Sequence, residues 1–267
     1  MRNELADVFK HTRQFYKVDS NLIECCEKTK SNQKFYKSHI DIPCNKNRFD
    51  TSMNIIVSKK RTFQAAEQYS KNGQKVAVLN LANSFSPGGG VVEGARAQEE
   101  CLCRISTLYD SLTSFEMMEK FYQPHRTTLD DLGTDDVIYS PEVMVFKTDT
   151  DMPELLPETE WYKADVMTCA APCLGWNAVS ITEEEIKKLH YSRAKQILDV
   201  AAANEVDVVV LGAFGCGAFR NPPEVVAEVY KEILNDYSHA FKTVEFAIYC
   251  GSYETKNYQV FNRVINS

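Results

Sequence analysis

Basic side chains are the scarcer sign in this sequence: 30 lysines and arginines stand against 37 aspartates and glutamates, a formal charge of −7. Clustered Lys and Arg are what hold a polyanion such as DNA, so direct DNA binding is not expected. Long apolar runs are missing as well. The longest uncharged stretch around the late glycines, Val208–Phe219, carries three of them and is far shorter than the ~20 apolar residues of a membrane helix. The first residues, MRNELADVFKHTRQFYK, are charged and contain no apolar h-region, so neither a secretory leader nor a membrane partner is expected. Nine cysteines, an odd number, without such a leader speak for reduced thiols in a cytoplasmic setting rather than a disulfide framework. Cys101 and Cys103 fall two apart in a helix-forming stretch and point to different sides, and the five histidines form no ligand pair. No metal and no cofactor is therefore expected. No G-x-x-x-x-G-K-[ST] element occurs, and Arg220 stands where a dinucleotide fingerprint needs Gly or Ala, which argues against P-loop and NAD-type sites.

What is present is an ordinary globular composition, 44% hydrophobic and 25% charged over 267 residues, near the size at which one core stops growing. Residues 1–50 are polar and spotted with aromatics. Leu5, Val8, Phe9 and Phe15 recur at helical spacing, followed by an irregular connection through Pro43, so this part reads as an accessory helical arm. Residues 51–267 read as the main domain. Short β-branched runs at Met53–Val57, Val76–Leu79, Val137–Tyr139, Val143–Phe146, Asp165–Cys169, Val206–Leu211 and Val244–Tyr249 alternate with helix-period segments near 62–70, 97–110, 114–122, 182–203, 223–236 and 253–264. Alternation of this kind requires crossover connections, and the continuous apolar run DVVVLG suits a strand buried on both faces. The fold class is α/β, with a largely parallel sheet covered on both sides.

In such sheets ligands bind beyond the carboxyl ends of strands. Two glycine clusters sit at those places: Asn80-Leu81-Ala82-Asn83-Ser84-Phe85-Ser86-Pro87-Gly88-Gly89-Gly90, and Gly212-Ala213-Phe214-Gly215-Cys216-Gly217-Ala218-Phe219-Arg220-Asn221-Pro222. Glycine allows positive φ and close backbone approach, so successive N–H groups can converge on an anion, and a following helix N-terminus adds partial positive charge. A phosphate or diphosphate site is the physical reading. After Gly90 and seven intervening residues come Gln98-Glu99-Glu100 in the first turn of a helix. The helix dipole alone favours acids there, but a carboxylate beside a sugar diphosphate can also act as acid and base at an anomeric carbon.

The Pro-Gly-Gly-Gly, seven residues, then Gln-Glu-Glu resembles the signature of microbial-type poly(ADP-ribose) glycohydrolases, which have the macrodomain fold. Asn80-x-x-Asn83 resembles the Asn-x-x-Asn of macrodomains, and the second glycine cluster is similar to that family's diphosphate and ribose loop. The resemblance covers roughly residues 50–265. It implies a three-layer α/β/α sandwich with a mixed, largely parallel sheet, here with an N-terminal helical extension, and exo-acting cleavage of ribose–ribose bonds that releases ADP-ribose. Glu100 matches the catalytic glutamate, acting as general acid and base, and Glu99 the neighbour that hydrogen-bonds the ribose on the leaving side. Gln98 matches a loop-orienting residue and Asn83 the asparagine that holds the distal ribose. Gly88, Gly89 and Gly90 match the close-approach turn. Gly215, Cys216, Gly217 and Ala218 match the diphosphate loop, and Phe219 the ring packed on the distal ribose. The expected partners are poly(ADP-ribose) or ADP-ribosylated substrates and the ADP-ribose product. An acid that accepts from adenine is missing from Val57–Thr62; Tyr253 and Tyr258 are available instead. Hydrolysis of another ADP-ribosyl linkage, or binding of ADP-ribose without cleavage, remains open at this point.

Overall fold

A computed structural model describes residues 2–175, 181–251 and 255–267. Alternation along the strands builds it. In β3 (Val76–Leu81), Val76 and Val78 face one side of the sheet while Ala77 and Leu79 face the other, and each set joins a separate buried cluster. Seven strands form one sheet in the order β1-β4-β5-β3-β6-β7-β2. These are β1 (Lys34–Tyr36), β2 (Asn54–Ser58), β3, β4 (Val137–Val145), β5 (Tyr162–Cys169), β6 (Val208–Leu211) and β7 (Thr243–Ala247). β5, β3, β6, β7 and β2 run parallel; β4 and β1 are antiparallel additions at one side.

Helices cover both faces. One face carries α8 (Glu183–Ala203), α9 (Pro223–Ile233) and α10 (Lys256–Ile265), whose Ile197, Val226, Tyr230 and Phe261 pack on Leu79, Met167, Val209 and Phe246. The other face carries α1 (Arg2–Phe15), α3 (Thr62–Lys71), α4 (Gln98–Ile105), α5 (Leu108–Leu112) and the helical stretch from α6 (Phe115–Met117) to α7 (Gln123–Thr128). There Phe9, Phe63, Leu102, Leu108 and Phe121 pack on Val78, Ile138, Val166 and Val210. The result is the three-layer α/β/α arrangement with a mixed sheet. α2 (Ser20–Asn32) is capped by Asp19, whose Oδ1 accepts from Leu22 N at 3.0 Å.

Three elements differ from the sequence reading, each for a local reason. Residues 1–50 hold two helices and also β1, which pairs Lys34–Tyr36 with Val137–Tyr139 at the sheet edge; three residues are too short to show a period. The separate runs Val137–Tyr139 and Val143–Phe146 join in one strand that includes Pro141 and ends at Val145. β4 runs through it with a register shift between Ser140 and Val143, Glu142 takes φ 53°, and its N–H is met by Asp165 Oδ1 at 2.7 Å. The long helix expected at 97–110 breaks at Ser106–Thr107, where Ser106 bridges to Val145 and Thr107 N donates to Met144 O, so the chain turns to follow the sheet. Among the described residues no helix is long and apolar enough to cross a membrane.

Candidate active site

β3 and β6 are neighbours, yet the helices that follow them leave for opposite faces: α4 joins the cluster around Val78, α9 the cluster around Leu79. A crevice opens at such a switch point. The ladder between the two strands ends at Val78–Val210, before β3 is finished. Gln98 takes over where pairing stops. Its Nε2 donates to Leu79 O at 2.8 Å and its Oε1 accepts from Leu81 N at 2.9 Å, so a side-chain amide stands in for a strand, while a second Nε2 bond reaches Thr62 Oγ1 at 3.0 Å. Gln98 thus ties the start of α4 to β3 and to Thr62.

The first glycine loop closes around the two glutamates at that helix start. Glu99 is 3% exposed. Its Oε1 accepts from Gly88 N at 3.1 Å and Asn80 Nδ2 at 3.3 Å, and its Oε2 accepts from Asn83 N at 2.7 Å. Burial pushes this carboxyl up to about 8; the donors from Asn83, Asn80 and Gly88 offset only part of that, and the neighbouring Glu100 adds to it. Glu100 Oε1 accepts from Gly90 N at 2.9 Å, whereas its Oε2 is buried without a partner. Gly88 and Gly89 have φ of 71° and 55°, values that favour glycine. A methyl group at Gly89 would stand 2.5 Å from Glu100 Oε1 and 3.3 Å from Glu99 Oε2, so both carboxylates adjoin one bare backbone position. Asn83 Oδ1 accepts from Phe85 N and Ser86 N at 2.8 and 2.9 Å, shaping the turn and leaving its amide NH₂ for other work.

The second loop is held from beneath by Asn221. Its Nδ2 donates to Pro172 O at 2.7 Å and Gly215 O at 3.0 Å, and its Oδ1 lies 2.9 Å from His190 Nε2. Burial pushes His190 down to about 4, so the ring is neutral and Nε2–H is the donor to that oxygen. Cys216 N is spent inside the loop on Ala213 O at 3.0 Å. The N–H groups of Gly215, Gly217 and Ala218 have no acceptor among the described residues, and Gly217 and Ala218 are exposed. Phe219 is half-buried against the core, its carbonyl held by Leu174 N at 2.9 Å. Burial pushes the Cys216 thiol up to about 12, which removes it as a nucleophile at neutral pH. Tyr253 lies outside the described residues, and Tyr258 carries Lys59 Nζ over its ring at 4.9 Å.

The sequence reading passed over two supports. His190 had no motif around it, and its pairing with Asn221 spans 31 residues. The other is α1, which grips α4: Thr12 Oγ1 donates to Arg104 O at 2.6 Å, while the fully buried Arg104 donates to Leu5 O at 3.3 Å and to Ala95 O. Lys147, also buried, donates to Val8 O at 3.0 Å, and burial holds it down to about 8. Gly94 lies so close to α1 that a methyl group there would collide with Arg2 O. Among the described residues no group of three or more His, Cys, Asp or Glu is placed to hold a metal ion.

Paired buried carboxylates beneath one glycine turn, and free N–H groups in a second glycine loop after the neighbouring strand, are groups suited to a phosphorylated glycoside. Residues 8–148 match the family described as microbial-type PARG, catalytic domain. The chain belongs to that family and is a glycosidase. Its structure is similar to poly(ADP-ribose) glycohydrolase from Thermomonospora curvata, with a TM-score of 0.86 and 28% identity over 98% of this chain and 100% of the other. It is similar to that of Deinococcus radiodurans in complex with ADP-ribose, with a TM-score of 0.81 and 32% identity over 90% and 96%. The T. curvata enzyme bound to the inhibitor ADP-HPD aligns with a TM-score of 0.84 and 28% identity over 98% and 99%. No match was found among curated protein sequences.

Proposed function

We propose that the chain hydrolyses the ribose–ribose O-glycosidic bonds of poly(ADP-ribose) from the chain end, releasing ADP-ribose, with Glu100 as general acid and then general base. The observation that carries this is Glu100 Oε2: a buried carboxylate oxygen with no partner, one residue along from a carboxylate already filled with N–H donors. A buried polar atom of this kind costs stability unless a ligand meets it. Cleavage develops oxocarbenium character at the ribose anomeric carbon and negative charge on the departing oxygen. Glu100 gives its proton to that oxygen, then takes one from the attacking water. The ligand's own diphosphate, seated on the free N–H groups of Gly215, Gly217 and Ala218, places negative charge near the cationic carbon.

The neighbouring residues receive supporting roles. Glu99 accepts three hydrogen bonds, and its carboxyl, kept protonated at neutral pH by burial, has an O–H to give to a ribose oxygen. Asn83 Nδ2 is available to the distal ribose, the bare backbone of Gly88–Gly90 lets that sugar approach, and Phe219 packs on it. The relatives support ADP-ribose as the ligand, since one was solved with ADP-ribose and another with ADP-HPD. The charge of −7 supports action at a terminus, because few outer phosphate contacts are on offer along a polymer.

Incubation of the purified chain with poly(ADP-ribose) is expected to yield monomeric ADP-ribose from the earliest time points. Glu100→Gln is expected to lower kcat by ~10²–10⁴-fold, the usual contribution of a general acid–base, while still binding ADP-ribose. Normal turnover by Glu100→Gln would overturn the assignment of Glu100, and early release of oligomers would overturn action from the end.

A further inference from the structure

We propose that Asn80 is a positioning residue for this reaction, acting through Glu99. The inference rests on the hydrolytic reading above. Asn80 is the one polar residue of the strand Val-Ala-Val-Leu-Asn-Leu and is fully buried. Strand alternation turns its side chain to the same face as Val76 and Val78, under α4. Its Nδ2 donates to Glu99 Oε1 and lies 3.3 Å from both that atom and Thr168 Oγ1, while its Oδ1 is buried with no partner. Thr168, also fully buried, is the register partner of Asn80 on β5.

An orphaned acceptor in the middle of a core strand carries a desolvation cost that leucine, of nearly the same shape, would not. What the amide does in exchange is reach Glu99. Glu99 in turn gathers Gly88 N and Asn83 N, two loop positions five residues apart, and its chain neighbour is Glu100, tied to Gly90 N. A hydrogen-bonded line therefore runs from β5 through Asn80 to Glu99 and on to the loop that seats the reacting carboxylate. β3 and β5 are held in register by their ladder, and this line ties the site to them. Neither Asn80 nor Thr168 touches the reacting atoms in this arrangement. Loss of the line leaves the second glycine loop, held separately by Asn221, in place but loosens the aim of Glu100, so it acts on kcat more than on KM.

The test uses the full chain with poly(ADP-ribose) in steady state, with melting temperature as a check on folding. Asn80→Leu is expected to stay folded, to lower kcat by about tenfold or more, and to change KM by less than about threefold. Thr168→Val, which removes only the hydroxyl, is expected to lower kcat in the same direction, and Thr168→Ser to restore it. A folded Asn80→Leu with wild-type kcat, or with its whole effect on KM, overturns the inference. Should Asn80→Leu fail to fold, equal rates for Thr168→Val and Thr168→Ser overturn it instead, and a slower Val variant supports it. Wild-type turnover with an inactive Glu100→Gln and a fully active Asn80→Leu sinks this inference alone; absence of wild-type turnover sinks the hydrolytic reading and this one with it.

Discussion

Gly89→Ala separates strain from chemistry. Two costs attach to the substitution. The first is conformational: φ is 55°, and a Cβ in the left-handed region costs roughly 1–2 kcal/mol. The second is steric: the new methyl would lie 2.5 Å from Glu100 Oε1, about 1 Å inside ordinary contact, and 3.3 Å from Glu99 Oε2. Glu100 Oε1 is the far end of a flexible side chain, so the clash is relieved by swinging the carboxylate away rather than by unfolding. Swinging it breaks the 2.9 Å bond from Gly90 N, a net loss of about 1 kcal/mol, and moves the carboxylate proposed to react by about 1 Å. A displacement of that size can cost ~10²-fold in rate. Gly73→Ala is the matched control. Gly73 has φ of 75° with nothing within 4 Å of an added Cβ, so it carries the strain without the clash. Both variants are expected to lose about 1–3 kcal/mol, or roughly 2–10 °C in melting temperature, in thermal unfolding. Only Gly89→Ala is expected to lose activity, by about 10²-fold in kcat, in an assay of ADP-ribose release. Retention of kcat within about threefold by a folded Gly89→Ala would refute the claim that the bare backbone at this position exists to seat Glu100.

Three further outcomes follow from the same contacts. Asn221→Ala removes bonds to Pro172 O, Gly215 O and His190 together, and is expected to cost about 2–3 kcal/mol of stability and to weaken ADP-ribose binding measured by calorimetry. Glu99, at about 8 in the folded chain and near its ordinary 4.5 when unfolded, binds its proton more tightly in the native state, so its contribution is fully present below pH 4.5 and is lost as pH rises to 8. The melting temperature of Glu99→Gln relative to wild type should therefore rise across pH 5–8, and a flat difference would show that burial does not control this group. Cys216→Ala is expected to keep wild-type kcat, and Cys216 of the wild-type chain is expected to react slowly with iodoacetamide at pH 7, because burial holds the thiol protonated.

The parallel core of the sheet and the places of both glycine loops were legible because they rest on local pattern: β-branched runs, glycines at strand ends, acids at a helix start. Glu100 and Glu99 were visible for the same reason. The different settings of their carboxylates were not, since they depend on which backbone N–H groups the loop turns toward each. Gln98 read as loop-orienting, but its substitution for a missing strand depends on where β6 stops pairing with β3. Cys216 read as part of the diphosphate loop, yet its N–H is consumed by Ala213 O, and only the folded turn shows that. His190 and Arg104 lay beyond reach because their partners are 31 and 99 residues away and no spacing rule joins them.

The grip of α1 on α4 has a consequence for assembly. The bonds that join them, Thr12 to Arg104 and Arg104 to Leu5, span 92 and 99 residues, and the brace from Lys147 to Val8 spans 139. Closing contacts that distant is slow, because loop entropy is lost before the contacts give anything back. During synthesis the first helix emerges long before the strand end that anchors it, and it must wait with Leu5 and Phe9 uncovered. The start of α4, and with it the glutamate pair proposed to act in hydrolysis, is therefore expected to take its final place only when these distant parts of the chain have met.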